Sequence, residues 1–371
     1  MASEDGPAPL FFMIEKAVFI QQIERAAQGA LALPVTRGML NCLYSELRKG
    51  DPPWWKHAGK AWEKREFVHW AEAWGIFLSA VHYEALSDAQ NPLVPYFPSC
   101  GGTAEADPST GLLQFLKDPP QSFFENLKKA ERRVYLSSRN LLWPPLAQLF
   151  FQTVGFPYYM VEINAGAGLN MATDLLRTVK GFNSDLIEAR IGLDVQPMDI
   201  HDINHRRWLT ASFLPEQMAA IDEFDEDSEK FIDLLAQDSE LAQIFPCRAD
   251  SAPEFLAKNI PVEGDMGLFI FNTATTGRMN DAAYADYQKK MFEVMKPWKD
   301  RVLWVEIESV RGEMFSTTFE LRAWKIENEK PAGQVLARFD FAARKTDYNR
   351  EAALKFLLPP GVPIPPEAKQ K

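Results

Sequence analysis

The chain has 371 residues, of which 46 % are hydrophobic and 25 % charged, and its formal net charge is −11. That length supports two domains with sizeable cores. The acidic balance repels phosphate backbones, which excludes nucleic acid as a general partner. Cys42, Cys100 and Cys247 share no metal-ligand spacing and are odd in number, so a reducing, cytoplasmic setting is expected. The opening "MASEDGPAPLFF" carries acids where a signal peptide carries bases, and no apolar run of about 18 residues is present to cross a membrane.

Residues 1–145 are predicted as a helical domain. "FFMIEKAVFIQQIERAAQGAL" has apolar residues at helical spacing, with Gly29 near its end. "REFVHWAEAWGIFLSAVHYEAL" is apolar on nearly every side and predicts a buried helix. Half of the ten tryptophans lie between Trp54 and Trp74. The helical spacing of Trp70, Trp74 and Phe77 reads as core, with an aromatic substrate pocket as the alternative. A Pro- and Gly-rich loop follows from Asn91 to Gly111, and two more helical patterns run to about Val154.

The texture then changes. Short apolar runs of strand length, "PYYMVEI", "ARIGLDV", "IFPCRAD", "MGLFIFNT" and "RVLWVEIES", alternate with helical patterns, the first of them over Leu169–Val179. Such alternation predicts βαβ units and a mostly parallel sheet. Two further strands, "TTFELRAWKI" and "QVLARFDF", have only a Pro331/Gly333 turn between them and must form an antiparallel hairpin. The fold class is therefore α/β, with a sheet domain over 146–345 and a Pro-rich, irregular tail over 346–371.

The most informative stretch is "VEINAGAGLN", Val161–Asn170. It closes the first predicted strand, where an open α/β sheet binds its ligand. Gly166 and Gly168 remove Cβ atoms where the backbone must pass close to that ligand. A dinucleotide fingerprint would need a third glycine at Met171, and its pyrophosphate would meet the Glu162 carboxylate. A ligand carrying positive charge suits Glu162 better.

These residues resemble the first motif of the class I S-adenosylmethionine-dependent methyltransferases, an acid followed by G-x-G-x-G. Glu162 matches the acid, Gly166 and Gly168 match the second and third glycines, and Asn164 stands at the first. Asn tolerates left-handed backbone angles better than most residues. The resemblance implies a Rossmann-like sheet and S-adenosylmethionine as cofactor. It implies that Asp194 in "IGLDV" binds the ribose, that Asp250 in "CRADS" lies near the adenine, and that Asn272 in "FIFNTATTG" ends the fourth strand at the site. A narrower resemblance joins "EINAGAGLN", "RIGLDVQPMDIHD", "RRWLTASFLPEQ", "AVHYEAL" and "PYFPSCGG". Together they resemble an uncharacterised bacterial family with a helical N-terminal half and a methyltransferase-like C-terminal half. The Gln-Thr-Asn-Glu box usual in that family is missing from "VYLSSRNLLW", Val134–Trp143.

The resemblance implies methyl transfer to a small molecule. The helical half is expected as a cap over the carboxyl edge of the sheet, and its tryptophan-rich helices and "VPYFPSCGG" loop, as an apolar wall, favour a largely apolar acceptor. Two alternatives are a different reaction on the same scaffold and a non-catalytic binder. "NTATTG" has no prolines, so it does not support methylation of a base amine. His82 and His201 are the general-base candidates, because His titrates near neutral pH. His82 lies in an apolar helix and reads first as a satisfied core histidine, with the general base as the alternative. His201 and His205, four apart beside Asp199 and Asp202, are not read as a metal site. Asp250 precedes a helix and has helix capping as its rival role.

Overall fold

The computed structural model describes residues 14–29, 33–65, 67, 71–135, 142–310, 318–340, 345–358 and 362. Trp70, residues 136–141 of the "VYLSSRNLLW" segment and nearly all of the Pro-rich end beyond Leu358 lie outside them. The chain falls into two compact units, Met1–Leu136 with Asp199–Glu226, and Ser137–Met198 with Asp227–Lys371. Among the described residues no helix is long and apolar enough to cross a membrane.

The first unit is helical. Its elements include Lys16–Gln28, Pro34–Lys49, Pro53–Ala61, Glu72–Ser87 and Gln121–Lys129. Pro34 and Pro53 open their helices, where a missing N–H leaves no bond unmade. The apolar pattern of Glu72–Ser87 is explained by its environment, with nearly every residue from Ala73 to Ala85 buried. Phe19, Trp55, Trp62, Phe77 and Phe123 pack with ring centroids 5.2–6.5 Å apart. Trp54, Trp55 and Trp62 are therefore core residues.

One segment sits differently from the sequence reading. Residues 199–226 lie within the stretch assigned to the sheet domain, yet they pack with the first unit. The reason is a set of long-range polar contacts. Glu216 accepts the N–H groups of Val35 and Thr36 at 2.5 and 3.0 Å, capping the helix that starts at Pro34. Trp208 Nε1 donates to the Glu131 carbonyl at 2.8 Å, and the Ser99 N–H donates to that of Pro215.

The second unit is α/β with a mixed sheet. Its strands are β1 (Tyr158–Ile163), β2 (Ile187–Asp194), β3 (Gln243–Pro246), β4 (Gly267–Thr273), β5 (Val302–Ser309), β6 (Thr318–Glu327), β7 (Lys330–Asp340) and β8 (Lys345–Tyr348). They lie in the order β3-β2-β1-β4-β5-β6-β7-β8. β1 to β5 are parallel, and β6 to β8 continue from β5 as an antiparallel meander. β4 is buried along nearly its whole length, which is why it reads as an unbroken apolar run. Apolar clusters cover both faces, one around Phe151, Tyr158, Phe269 and Leu303, the other around Val161, Ile270, Trp298 and Trp304.

Two local expectations differ from the structure. The helix expected over Leu169–Val179 is a 3-10 turn, Leu169–Ala172, followed by the single helical turn Thr173–Leu176. β-branched Thr178 and Val179 and left-handed Gly181 (φ +74°) end it. Within the stretch read as an irregular tail, β8 pairs with β7, and helix Arg350–Leu357 is capped by the Asn349 side chain.

Candidate functional site

The strand order reverses between β1 and β4, so the crevice for a ligand opens beyond the carboxyl ends of these strands. Three turns meet there. The first is Asn164–Gly168, after β1. Asn164, Gly166 and Gly168 all have left-handed φ, at 72°, 60° and 84°. A Cβ built on Gly166 would meet no atom within 4 Å, whereas one on Gly168 would press on Ile244 and Met171 at 3.1–3.2 Å. The two glycines thus differ: Gly168 is needed for packing, and Gly166 faces open space.

The turn is held from beneath by β2. The Asp194 carboxylate, 1 % exposed, accepts the Gly166 N–H at 2.8 Å through Oδ2 and the Gln196 N–H at 2.8 Å through Oδ1. The Leu193 carbonyl accepts from Asn164 and Ala165, and the Met198 N–H donates to the Gly166 carbonyl. Gly192 lets the turn come this close, since a Cβ there would stand 2.9 Å from that of Ala165. Glu162, also 1 % exposed, lies at the end of β1 and accepts from Asn170 Nδ2 at 2.6 Å.

The third strand end carries residues that sequence reasoning missed. After β4 the chain turns through Ala274, a non-glycine residue at φ +52°, and such strain concentrates at functional positions. Glu308 of β5 holds this loop: its carboxylate accepts Asn272 Nδ2 (2.7 Å) and the N–H groups of Thr275 (2.7 Å), Thr276 (3.0 Å) and Gly277 (3.0 Å). Asn272 is held at both ends of its amide, since its Oδ1 accepts the indole N–H of Trp304 at 2.9 Å. Glu306, two residues before Glu308 and on the same face of β5, accepts from Thr276 Oγ1, Tyr284 Oη and Trp324 Nε1 at 2.7–2.9 Å. Burial first, and then Glu308, push the Glu306 carboxyl above its ordinary range. The legible signal was "LWVEIES", in which Trp304, Glu306 and Glu308 alternate through an otherwise apolar strand.

Of the residues picked out by sequence, Glu162, Asn164, Gly166, Gly168, Asp194 and Asn272 stand at the ends of three adjacent strands. Asp250 does not join them. It lies in an exposed turn after β3, where Arg248 reaches it at 3.0 and 3.1 Å and holds its carboxyl below the ordinary range. It makes no cap to the helix that follows.

His82 and His201 belong to the first unit. His201 is exposed, and its N–H donates to Asp199 at 2.8 Å. His205 Nδ1 accepts the Asp199 N–H, and Asp202 caps helix Ile203–Ala211, so these residues fasten a helix start. His82 is 1 % exposed, and both its ring nitrogens are engaged, with the Phe213 carbonyl at 3.2 Å and Ser99 Oγ at 2.7 Å. A carbonyl can only accept, so Nδ1 carries the proton and Nε2 accepts from Ser99. Burial lowers its pKa to about 4. This value lies below the ordinary 6.5, so the unfolded chain binds the extra proton first. Stability from His82 is complete above the ordinary value and is lost as pH falls from there to about 4. The loss is on the order of 3 kcal/mol. Urea titrations should show this slope in the parent protein and a flatter one in His82→Gln.

Comparison with known proteins gives one family. The model of a family described as "Uncharacterized protein conserved in bacteria (DUF2332)" matches residues 57–181 and 177–347. No curated protein and no solved structure matches the chain.

Proposed function

We propose that this chain, which belongs to the DUF2332 family of bacterial proteins, is an S-adenosylmethionine-dependent methyltransferase acting on a small, largely apolar molecule. The observation that carries the reading is the turn Asn164–Gly168. It is left-handed at three positions, lies at the strand-order reversal, and is open above Gly166. An open left-handed glycine there allows a ligand to lie against bare backbone, and acids stand at the ends of β1 and β2.

The residues fit that cofactor by charge. Glu162 would hold its ammonium. Asp194, which braces the turn through Gly166 and Gln196, would hold the ribose hydroxyls. Bound there, the cofactor would supply an activated methyl group, and the chain's contribution would be position, orientation and exclusion of water. Asn272, held by Glu308 and Trp304, shapes the end of β4. His82 is left out of the chemistry, because it is enclosed and its ring nitrogens are used.

Calorimetric titration with S-adenosylmethionine and S-adenosylhomocysteine tests the binding half of the proposal. Glu162→Ala should weaken both by about ten- to hundredfold, the equivalent of roughly 1.5–3 kcal/mol for a charge-assisted bond. Absence of binding in the parent protein would end the reading. Product analysis with a labelled methyl donor then separates methyl transfer from another reaction.

A further inference from the structure

Glu306 and Glu308 form a buried carboxylate pair, 0 % and 2 % exposed, joined by one residue. Thr276 donates its N–H to Glu308 and its hydroxyl to Glu306. Two carboxylates this close and this dry are costly to ionise together. The donors around them decide which one carries a proton. All four donors to Glu308 are amide N–H groups, which cannot reverse. The Asn272 amide cannot flip to help, because its oxygen is fixed by Trp304. Of the three donors to Glu306, the Thr276 hydroxyl can turn to accept, whereas Tyr284 Oη already accepts from Gln288 and Arg322.

We propose that the pair holds a single proton at neutral pH, that Glu306 carries it, and that Glu308 acts as the anionic positioning residue for the loop at the end of β4. The other groups facing the pair agree with this assignment. Tyr287 and Tyr284, from helix Asp281–Met295, keep their protons, since burial pushes both phenols upward. Arg322 stands opposite Glu306 on β6, where it is bound to Glu320, two residues before it, and also donates to Tyr284; Glu320 also takes Arg338. Gln288 Nε2 lies 3.0 Å from Tyr284 Oη, which leads from Glu306 through Tyr284 to a half-buried amide. The inference concerns the ligand-free chain. It deepens the methyl-transfer reading only in that the loop fixed by Glu308 borders the proposed cofactor turn, through Thr275 Oγ1 and the Ile163 carbonyl at 3.4 Å.

Trp324 provides the probe, because its indole N–H donates to Glu306 at 2.9 Å. Its ¹H–¹⁵N cross-peak, assigned with Trp324→Phe, should hold one position at neutral pH and move only as Glu306 ionises above the ordinary glutamate range. Glu306→Gln, the neutral isostere, should leave the neutral-pH peak near its place and abolish the movement. Glu308→Gln removes the neighbouring charge and should bring the midpoint down. Should Glu308→Gln fail to fold, Thr276→Val serves instead: it removes a donor to ionised Glu306 and should raise the midpoint. Movement of the parent peak within the ordinary glutamate range, or an unchanged midpoint in a folded variant, would overturn the proposal. Calorimetry with S-adenosylhomocysteine reports separately on the cofactor reading, whose failure would leave this titration as it is.

Discussion

Asp194→Ala should lower stability by roughly 2–4 kcal/mol and, in the fraction that remains folded, abolish measurable S-adenosylhomocysteine binding. The size follows from what the carboxylate holds. It accepts two backbone N–H groups, those of Gly166 and Gln196, and the first of these is buried. A buried donor left without a partner costs about 1–3 kcal/mol, and the more exposed Gln196 N–H, which water can reach, costs less. The sequence alone suggests a ligand-binding acid whose removal spares the fold. The geometry makes Asp194 a staple for the glycine turn as well. Asn at this position keeps one acceptor and turns an NH₂ toward the other N–H, so Asp194→Asn should also lose stability. Urea denaturation beside calorimetry checks both halves. A variant with parent stability that still binds would remove both roles.

The two glycines of the turn should separate binding from folding. Gly166→Val places a branched side chain at φ +60° in a space with no atom within 4 Å. The strain is about 1–2 kcal/mol or somewhat more for a branched residue, and the side chain would occupy the proposed ligand position. Affinity should fall more than a hundredfold while the melting temperature drops only a few degrees. Gly168→Val carries the same strain and must also displace Ile244 and Met171, so it should unfold more readily. If Gly166→Val collapses the fold while binding survives at low temperature, both glycines serve packing and the cofactor reading fails.

Much of the second unit was legible because it is local. Apolar runs of strand length between helical patterns located β1, β2, β4 and β5 within two residues, and β3 with its end four residues too late. The φ > 0 turn could be read from two glycines and an asparagine, since few other residues tolerate it. The family resemblance placed acids at the ends of β1 and β2, and there they are. The short helix after the turn was overestimated, because apolar periodicity runs on past Leu176 while Thr178, Val179 and Gly181 break the backbone. β8 was missed because four residues with little alternation carry no pattern of their own and become a strand only by pairing with β7.

The sequence by itself determined where most of the strands and helices lie, which residues can take left-handed angles, and that acids stand at two strand ends. Those properties depend on neighbours within a few positions, so backbone propensity and side-chain period are enough to read them. Only the tertiary structure decided what each acid holds. Asp194 meets Gly166 from 28 residues away and Glu308 meets Asn272 from 36, while Glu216 reaches a helix start 181 residues earlier. It also decided that residues 199–226 belong to the helical unit, and that Glu306 and Glu308 lie buried side by side under one threonine. Partners of this kind are chosen by packing among distant segments, and a buried polar group takes whichever donor the fold brings within about 3 Å.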